Sequence, residues 1–483
     1  MGIVIKQSFK NLVTTYFGFG IGAINTLFLF TYFLEQQYYG LVSFLLSAAN
    51  LIWPFMAFGV NSTLVKFYTS YKTRGERDKL LNMILFLPLI VSGILGLIGF
   101  LSYDLLLKYF SDENQLVQPY IWLIFVIATA TAYFEVFFSW TKVFYKSVLG
   151  NFMKEVFHRF CVSVLLVAVY LDLISIPQFI YGVASVFVFR TLVMGAYAFM
   201  LYTPRIRFRF PENYKVVLKY TSLILIAASV AMVLLDLDKV MIEYYLPIEN
   251  VAVYGIAVYI ATVISVPSKA MQQITNPMTA GYLNNGDRES LKDLYTKSSL
   301  NLLVVSGVIF TLIITNLEQL YEMIPDEYEI SVLVVLLISL IKLYDNLLGN
   351  NNSILFNSDY YRIVLAIGVL LAITAFLLNL VFIPWLGIIG ASIATFIAFC
   401  SYNTFKVFLV YRKFRLHPFT SKTWQILLSI AVFCIGFYFW DFPFHPILNI
   451  ALKSAMICAG FIFLAYKFRF SEEVSVIVGR FLK

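Results

Sequence analysis

The sequence predicts an all-α polytopic membrane protein with about fourteen transmembrane helices. Three observations predict it. Sixty per cent of the 483 residues are hydrophobic and only 13% are charged, against roughly 25% charge in a soluble domain. The mean hydropathy is +0.83, which is more apolar surface than a core of this length hides from water, so most of the solvent must be lipid. The apolar runs are long and continuous, whereas a membrane barrel alternates over ~10 residues.

A spanning helix needs ~20 mostly apolar residues, and fourteen runs qualify. Asn11–Leu34 follows Lys6 and Lys10 and passes straight into Glu35. No small-residue cleavage site intervenes, so this helix is expected to stay in the mature protein. Tyr39–Tyr68 contains Pro54 and ends before the charged turn Arg74–Lys79. Leu80–Tyr103 carries Gly93, Gly96 and Gly99, a spacing for close helix packing. Tyr120–Thr141 holds Glu135. Val156–Leu173 comes out of the basic segment Lys142–Arg159. Phe179–Tyr202 has Arg190 at its middle. Val217–Met241 follows the basic Thr203–Lys219 segment and reaches Asp236, Asp238 and Lys239. Val251–Tyr282 is interrupted by Pro267 and Pro277 and opens into the polar loop Asn284–Leu294. Ser299–Leu317 precedes an acidic loop with Glu318, Glu322, Asp326, Glu327 and Glu329. Val332–Leu355 contains Lys342, Asp345 and the polar run Asn350-Asn351-Asn352-Ser353. A short turn at Pro384–Gly387 joins Ile363–Ile383 to Ile388–Val410. Trp424–Trp440 and Ile447–Tyr466 finish the series, the last bearing Lys453.

Orientation follows from lysine and arginine, which concentrate on the cytoplasmic side. With both termini cytoplasmic, 29 of the 35 fall in inside segments. Lys108 and Lys239 fall outside, and Arg190, Lys269, Lys342 and Lys453 lie within helices. The net charge of +8 is therefore a topology signal, and no soluble domain is large enough to present a basic groove to nucleic acid. Cys161, Cys400, Cys434 and Cys458 sit in apolar runs with no Cys-x-x-Cys pair, and His158, His417 and His445 are scattered. That pattern argues against a zinc or redox site. The longest outer segments, Asp104–Pro119 and Leu317–Ser331, are too short for a catalytic domain, so a polymerase or glycosyltransferase is disfavoured and the chain is expected not to be an enzyme.

A duplication is visible. Gly75-Glu76-Arg77-Asp78-x-Leu80 returns as Gly286-Asp287-Arg288-Glu289-x-Leu291, at an offset of 211; Tyr32-Phe33-Leu34 matches Tyr244-Tyr245-Leu246, and Pro54 matches Pro267, at 212 and 213. The offset spans six helices. An even number keeps both copies in one orientation, which makes them parallel repeats. The matching glycines are expected to permit the tight turns. The division this predicts is a six-helix half at 1–207, a second at 208–416, and two extra helices with a cytoplasmic tail at 417–483.

This arrangement resembles the multidrug/oligosaccharidyl-lipid/polysaccharide exporter superfamily, and the local sequence looks most like its polysaccharide (O-antigen-type) flippase branch. The resemblance is carried by Asp236–Leu246 with Val253-Tyr254-Gly255, by Tyr39-Gly40 with Phe58-Gly59, and by Ile383–Ala391 running to Ala394-Thr395. It implies export of an undecaprenyl-diphosphate-linked oligosaccharide, such as a lipopolysaccharide O-antigen unit, across the bacterial cytoplasmic (inner) membrane by alternating access. It implies membrane lipid and a polysaccharide polymerase machinery as partners. No cofactor is expected; a coupling ion, Na⁺ or H⁺, stays open. A drug or organic-cation antiporter and a lipid II flippase are the alternatives on the same fold.

Ionisable residues inside spanning helices are costly and default to functional candidates. Arg190 can hold a phosphate bidentately or pair with Glu135. Lys342 and Asp345, three apart, share a helix face; Lys342 meets the diphosphate or an acidic sugar, or the two neutralise each other. Lys269 follows Pro267, and a proline frees a backbone carbonyl and marks broken helices in transporters. Asp236, Asp238 and Lys239 form an interfacial salt-bridge cluster, or a coupling-ion or outer-gate site. Lys453 is expected to snorkel to the outer surface. The Asn350–Ser353 run hydrogen-bonds sugar or neighbouring helices, and the sequence leaves these two open.

Overall fold

A computed structural model of the protein describes residues 2–104, 115–206, 210–328 and 331–471. Lys108, Arg207, Arg209, Glu329, Arg480 and Lys483, and the expected boundary at 207/208, lie outside the described residues. The described chain contains helices and no strand, as the hydropathy predicts. Ten helices among the described residues are long and apolar enough to cross a membrane. The fourteen apolar runs do not map onto them one to one, because some runs are broken and two are merged. The chain divides into two compact units, Met1–Ala252 and Val253–Lys483.

In unit 1, α1 (Gly2–Ile24) widens into a π turn at Asn25–Leu29 and ends at Phe33. α2 (Gln36–Ala57) stops where Phe58 and Gly59 take φ of 49° and 70°, and α3 (Val60–Phe67) resumes. The run Tyr39–Tyr68 is thus two helices. The reason is local: Pro54 removes one backbone donor, and a Cβ on Gly59 would come within 2.6 Å of the Thr221 carbonyl oxygen. With no Cβ there, α3 lies against α8 (Tyr214–Tyr245), and the Thr63 and Thr221 hydroxyls meet at 2.9 Å.

α4 (Arg74–Leu101) starts in a capping box, with Glu76 N donating to Thr73 Oγ1 and Thr73 N donating to Glu76 Oε2. Gly75 sits inside that first turn and makes no tight bend, contrary to expectation. Of Gly93, Gly96 and Gly99 on α4, only Gly96 faces a neighbour, the Phe125 ring. α5 (Ile121–Val143), α6 (His158–Tyr170) and α7 (Ile176–Leu201) complete unit 1, and a second π turn at Met153–Phe157 leads into α6. α1 packs against that second π turn: a Cβ on Gly18 would collide with the Glu155 carbonyl oxygen.

α9 (Glu249–Thr262) contains the boundary between the units; in unit 2 it gives way to a 3₁₀ turn at Val263–Ser265, and α10 (Val266–Asn285) begins with Pro267 in its first turn. The break falls where the proline predicts it. Gly286, at φ 67°, ends α10 in the left-handed conformation, and Asp287 caps α11 (Arg288–Thr315) by accepting from Ser290 N at 3.0 Å. Hydrogen bonding from the Ser290 side chain, and then from its backbone N–H, holds the Asp287 carboxyl below the usual carboxylate range. α12 (Val332–Leu347) ends early. Gly349 takes φ 53°, and α13 (Asn351–Phe356) follows. A long α14 (Tyr361–Phe414) is two helices joined at Gly387, whose φ 59° and ψ −136° no helix adopts.

α15 (Ser421–Tyr438) and α16 (Pro446–Phe468) pack on α11 through Leu303, Phe310, Ile430, Ile457 and Phe461. In lipid such packing is van der Waals contact, with no hydrophobic driving force between helices, so polar clamps matter more. Lys453 supplies one. It does not snorkel: it is fully buried, donating to the Thr315 carbonyl at 2.7 Å and to Asp441 Oδ1 at 2.8 Å, while Gln319 Nε2 donates to the same carboxylate. A partner carboxylate within reach removes the reason to seek the surface.

Candidate functional site

The second π turn organises the charges of unit 1. It carries Lys154 toward α5, where the ammonium donates to Glu135 Oε1 at 2.5 Å. Glu135 is 7% exposed. The partner that the sequence offered to Arg190 therefore belongs to Lys154.

Arg190 itself is 5% exposed on α7. Its guanidinium carbon lies 4.1 Å from the centre of the Phe187 ring and 4.7 Å from that of Phe134. Each contact stabilises the cation by about 0.5–2 kcal/mol. Nη2 makes a long hydrogen bond to Thr131 Oγ1 at 3.4 Å, and Nε is buried with no hydrogen-bond partner. Alongside, Thr191 ties α7 to α5 by donating to the Ala130 carbonyl at 2.7 Å. Lys142 follows Glu135 by two turns of α5, is exposed, and rests 3.8 Å over the Phe138 ring. Three cations thus gather around one carboxylate. Such a set can hold an anion, and the unfilled Arg190 donor is where an acceptor oxygen would go.

Lys154 and Lys142 were legible only as topology charges. The two-turn spacing of Glu135 and Lys142 could have placed both on one helix face. Nothing in the sequence points to Lys154, because its reach depends on the π turn.

Unit 2 holds a second set. Asp345 Oδ1 lies 3.6 Å from Lys406 Nζ, and Lys406 is buried, donating to Asn352 Oδ1 at 2.8 Å with its ammonium 4.5 Å from the Tyr402 ring. Lys406 was also counted only for topology. Lys342 lies 6.0 Å from the Phe399 ring. Lys269 is exposed on the first turn of α10, just past the break. The Asn350–Ser353 run serves its neighbours: Asn350 bonds Thr279, Asn351 Nδ2 donates to Tyr295 at 2.7 Å, and Ser353 bonds Asn276.

On α8, Asp236 and Asp238 are buried, and Lys239 Nζ is 3.8 Å from Asp236. Among the described residues, no three His, Cys, Asp or Glu side chains come together as a metal site. The structure thus brings Glu135 and Arg190 together in unit 1 and places Lys342, Asp345 and Lys269 in unit 2.

Comparison with known proteins agrees with this fold. The family model described as polysaccharide biosynthesis protein matches residues 4–279, more than half of the chain. A lipid II flippase MurJ structure in an inward closed conformation aligns over 95% of this chain and 99% of its own, at 13% identity and a TM-score of 0.71. An inward-facing multidrug-resistance MATE transporter of the MOP superfamily aligns over 86% and 95%, at 14% identity and 0.58. The Vibrio cholerae MATE transporter VcmN aligns over 85% and 96%, at 14% and 0.58. No curated protein matches at the level of sequence. With the long family match and the shared helical architecture, this multi-pass membrane chain belongs to the polysaccharide biosynthesis protein family.

Proposed function

We propose that the protein is a flippase for an undecaprenyl-diphosphate-linked oligosaccharide, a building unit of a surface polysaccharide such as O-antigen. It takes the lipid-linked unit from the cytoplasmic leaflet of the bacterial inner membrane to the outer leaflet by alternating access, driven by a coupling Na⁺ or H⁺. A polymerase machinery receives the product. The observation that carries this reading is Arg190: a buried guanidinium against two aromatic rings, with one donor unfilled and the Lys154–Glu135 pair near it. Burying a cation costs several kcal/mol; Lys453 offsets that with a carbonyl and a carboxylate, whereas Arg190 keeps a donor unfilled. A diphosphate needs cations of this kind to leave water.

The test is Arg190→Ala in the native host with other glycan flippases deleted. We expect surface glycan to disappear and lipid-linked oligosaccharide to accumulate, at unchanged protein level. Normal surface glycan would remove Arg190 from the mechanism, and a full deletion without effect on glycan would remove the flippase reading. The MurJ-like fold keeps a second cargo, lipid II, in view; rescue of a host depleted of its lipid II flippase would favour it.

A further inference from the structure

Unit 2 contains a cleft of about 600 Å³ between α10 and α11. Ligand pockets span ~300–1,000 Å³. Its existence is unexpected from the connection alone. The two helices are joined by the two residues Gly286 and Asp287, and so short a link makes antiparallel neighbours. Here they nonetheless diverge enough to leave space between them.

The two walls differ in chemistry. On α11, Glu289, Asp293, Lys297 and Asn301 recur every fourth residue and line one wall. On α10, Met271, Ile274 and Met278 line the other. Buried Thr275 and Ser298 add hydroxyls. The charges do not cancel. Asp293 is neutralised by Lys297 at 2.8 Å, whereas exposed Glu289 has no ion-pair partner among the described residues. The cleft therefore carries one net negative charge, opposite in sign to the Arg190 cluster.

We infer that this cleft receives the sugar part of the lipid-linked cargo, and that the sugar it takes is neutral or amine-bearing and not acidic. A pyranose ring offers hydroxyls at its rim and a C–H face. The rim matches the Glu289 carboxylate with the Thr275 and Ser298 hydroxyls, and the face matches methionine and isoleucine. A hydrocarbon tail would leave the Glu289 carboxylate facing apolar matter. A uronic acid would set a second carboxylate against Glu289, and like charges at such range repel. This inference rests on the flippase reading. It adds to it a sugar subsite within unit 2.

The test uses full-length protein in vesicles. Ser290 lines the cleft, so Ser290→Cys, made after replacing the four native free cysteines, reports access to it by maleimide labelling. The probes are the host's extracted lipid-linked oligosaccharide and undecaprenyl diphosphate without sugar. Flipping of the oligosaccharide is measured in the same vesicles. We expect only the oligosaccharide to slow labelling, by about tenfold, and Glu289→Ala to abolish that protection, since it removes a charge-assisted hydrogen bond. Equal protection by both lipids would overturn the sugar assignment and identify the cleft as a lipid or head-group site. Absence of protection in vesicles that flip the oligosaccharide would overturn it too, as would a host repeat unit made only of uronic acids. Vesicles that flip nothing would instead defeat the flippase reading itself.

Discussion

Arg190 and Lys453 are both cations buried in apolar helices, and their surroundings separate their roles. Lys453 donates to a carbonyl and to a carboxylate at 2.7 and 2.8 Å, so its charge is satisfied and holds α16 to α11. Arg190 has ring faces, one long bond and an unfilled donor. Removing Asp441 should leave Lys453 charged and unpaired in the bundle. Breaking a buried pair costs ~3–5 kcal/mol, discounted here because Asp441 is 42% exposed. We expect Asp441→Ala to lower the melting temperature in detergent by several degrees and Lys453→Met to lower it less, because a methionine fills the space without a charge. Equal losses would show that the contact acts by shape alone. At this scale the sequence revealed that Arg190 lies at a helix midplane. It could not reveal partners, because Lys154 and Lys406 read as inside charges until packing carries them to Glu135 and Asp345.

Prolines and glycines made most helix breaks legible, and π turns left no such trace. Pro267 announces the α9–α10 break and Gly286 the turn before α11. Neither Asn25–Leu29 nor Met153–Phe157 contains a proline or glycine, so both pass for ordinary helix in a hydropathy profile. The stop at Leu347 does carry a glycine, Gly349, which takes φ 53° against Ser299 N, yet the continuous hydropathy of Val332–Leu355 passes over it. Two glycines on α1 supply a controlled comparison. A Cβ at Gly18 collides with the Glu155 carbonyl oxygen, while one at Gly20 meets nothing within 4 Å. Gly20→Ala should stabilise the protein by up to ~1 kcal/mol, the helix-interior gain. Gly18→Ala should destabilise it and depress glycan export, since it pushes α1 off the turn that aims Lys154. Thermal unfolding of the pair in detergent decides it; identical behaviour would mean that α1 does not bear on that turn.

For the whole molecule, composition alone established the membrane and the all-helical class, and the fold comparison agrees. The count of fourteen spans was harder to read, because hydropathy counts runs and the chain divides some and merges others, as at Gly387 in α14. The two turns that the sequence matches at an offset of 211 start their helices differently: Thr73 with Glu76 caps α4, while Gly286 and Asp287 make the bend before α11. The orientation rests on 29 of 35 basic residues, and it is testable directly. In a protein freed of native cysteines, an impermeant maleimide should label Asp326→Cys in intact spheroplasts and Lys146→Cys only after lysis. Both native side chains are exposed. The reverse pattern would invert the assigned direction of export.

The two π turns are bound to one another's helices: Asn25, in the first, donates to the carbonyl of Arg159, two residues beyond the second, at 2.8 Å. A π turn is an extra residue taken up without a break in the helix. Displacing it by one position swings the residue it passes through about 100° around the axis, yet leaves the helix ends where they were. At Met153–Phe157 a single such step would withdraw the Lys154 ammonium from Glu135. The bundle would thereby alter which cation faces the carboxylate while its outer dimensions stay fixed, like a dial turning inside a closed case.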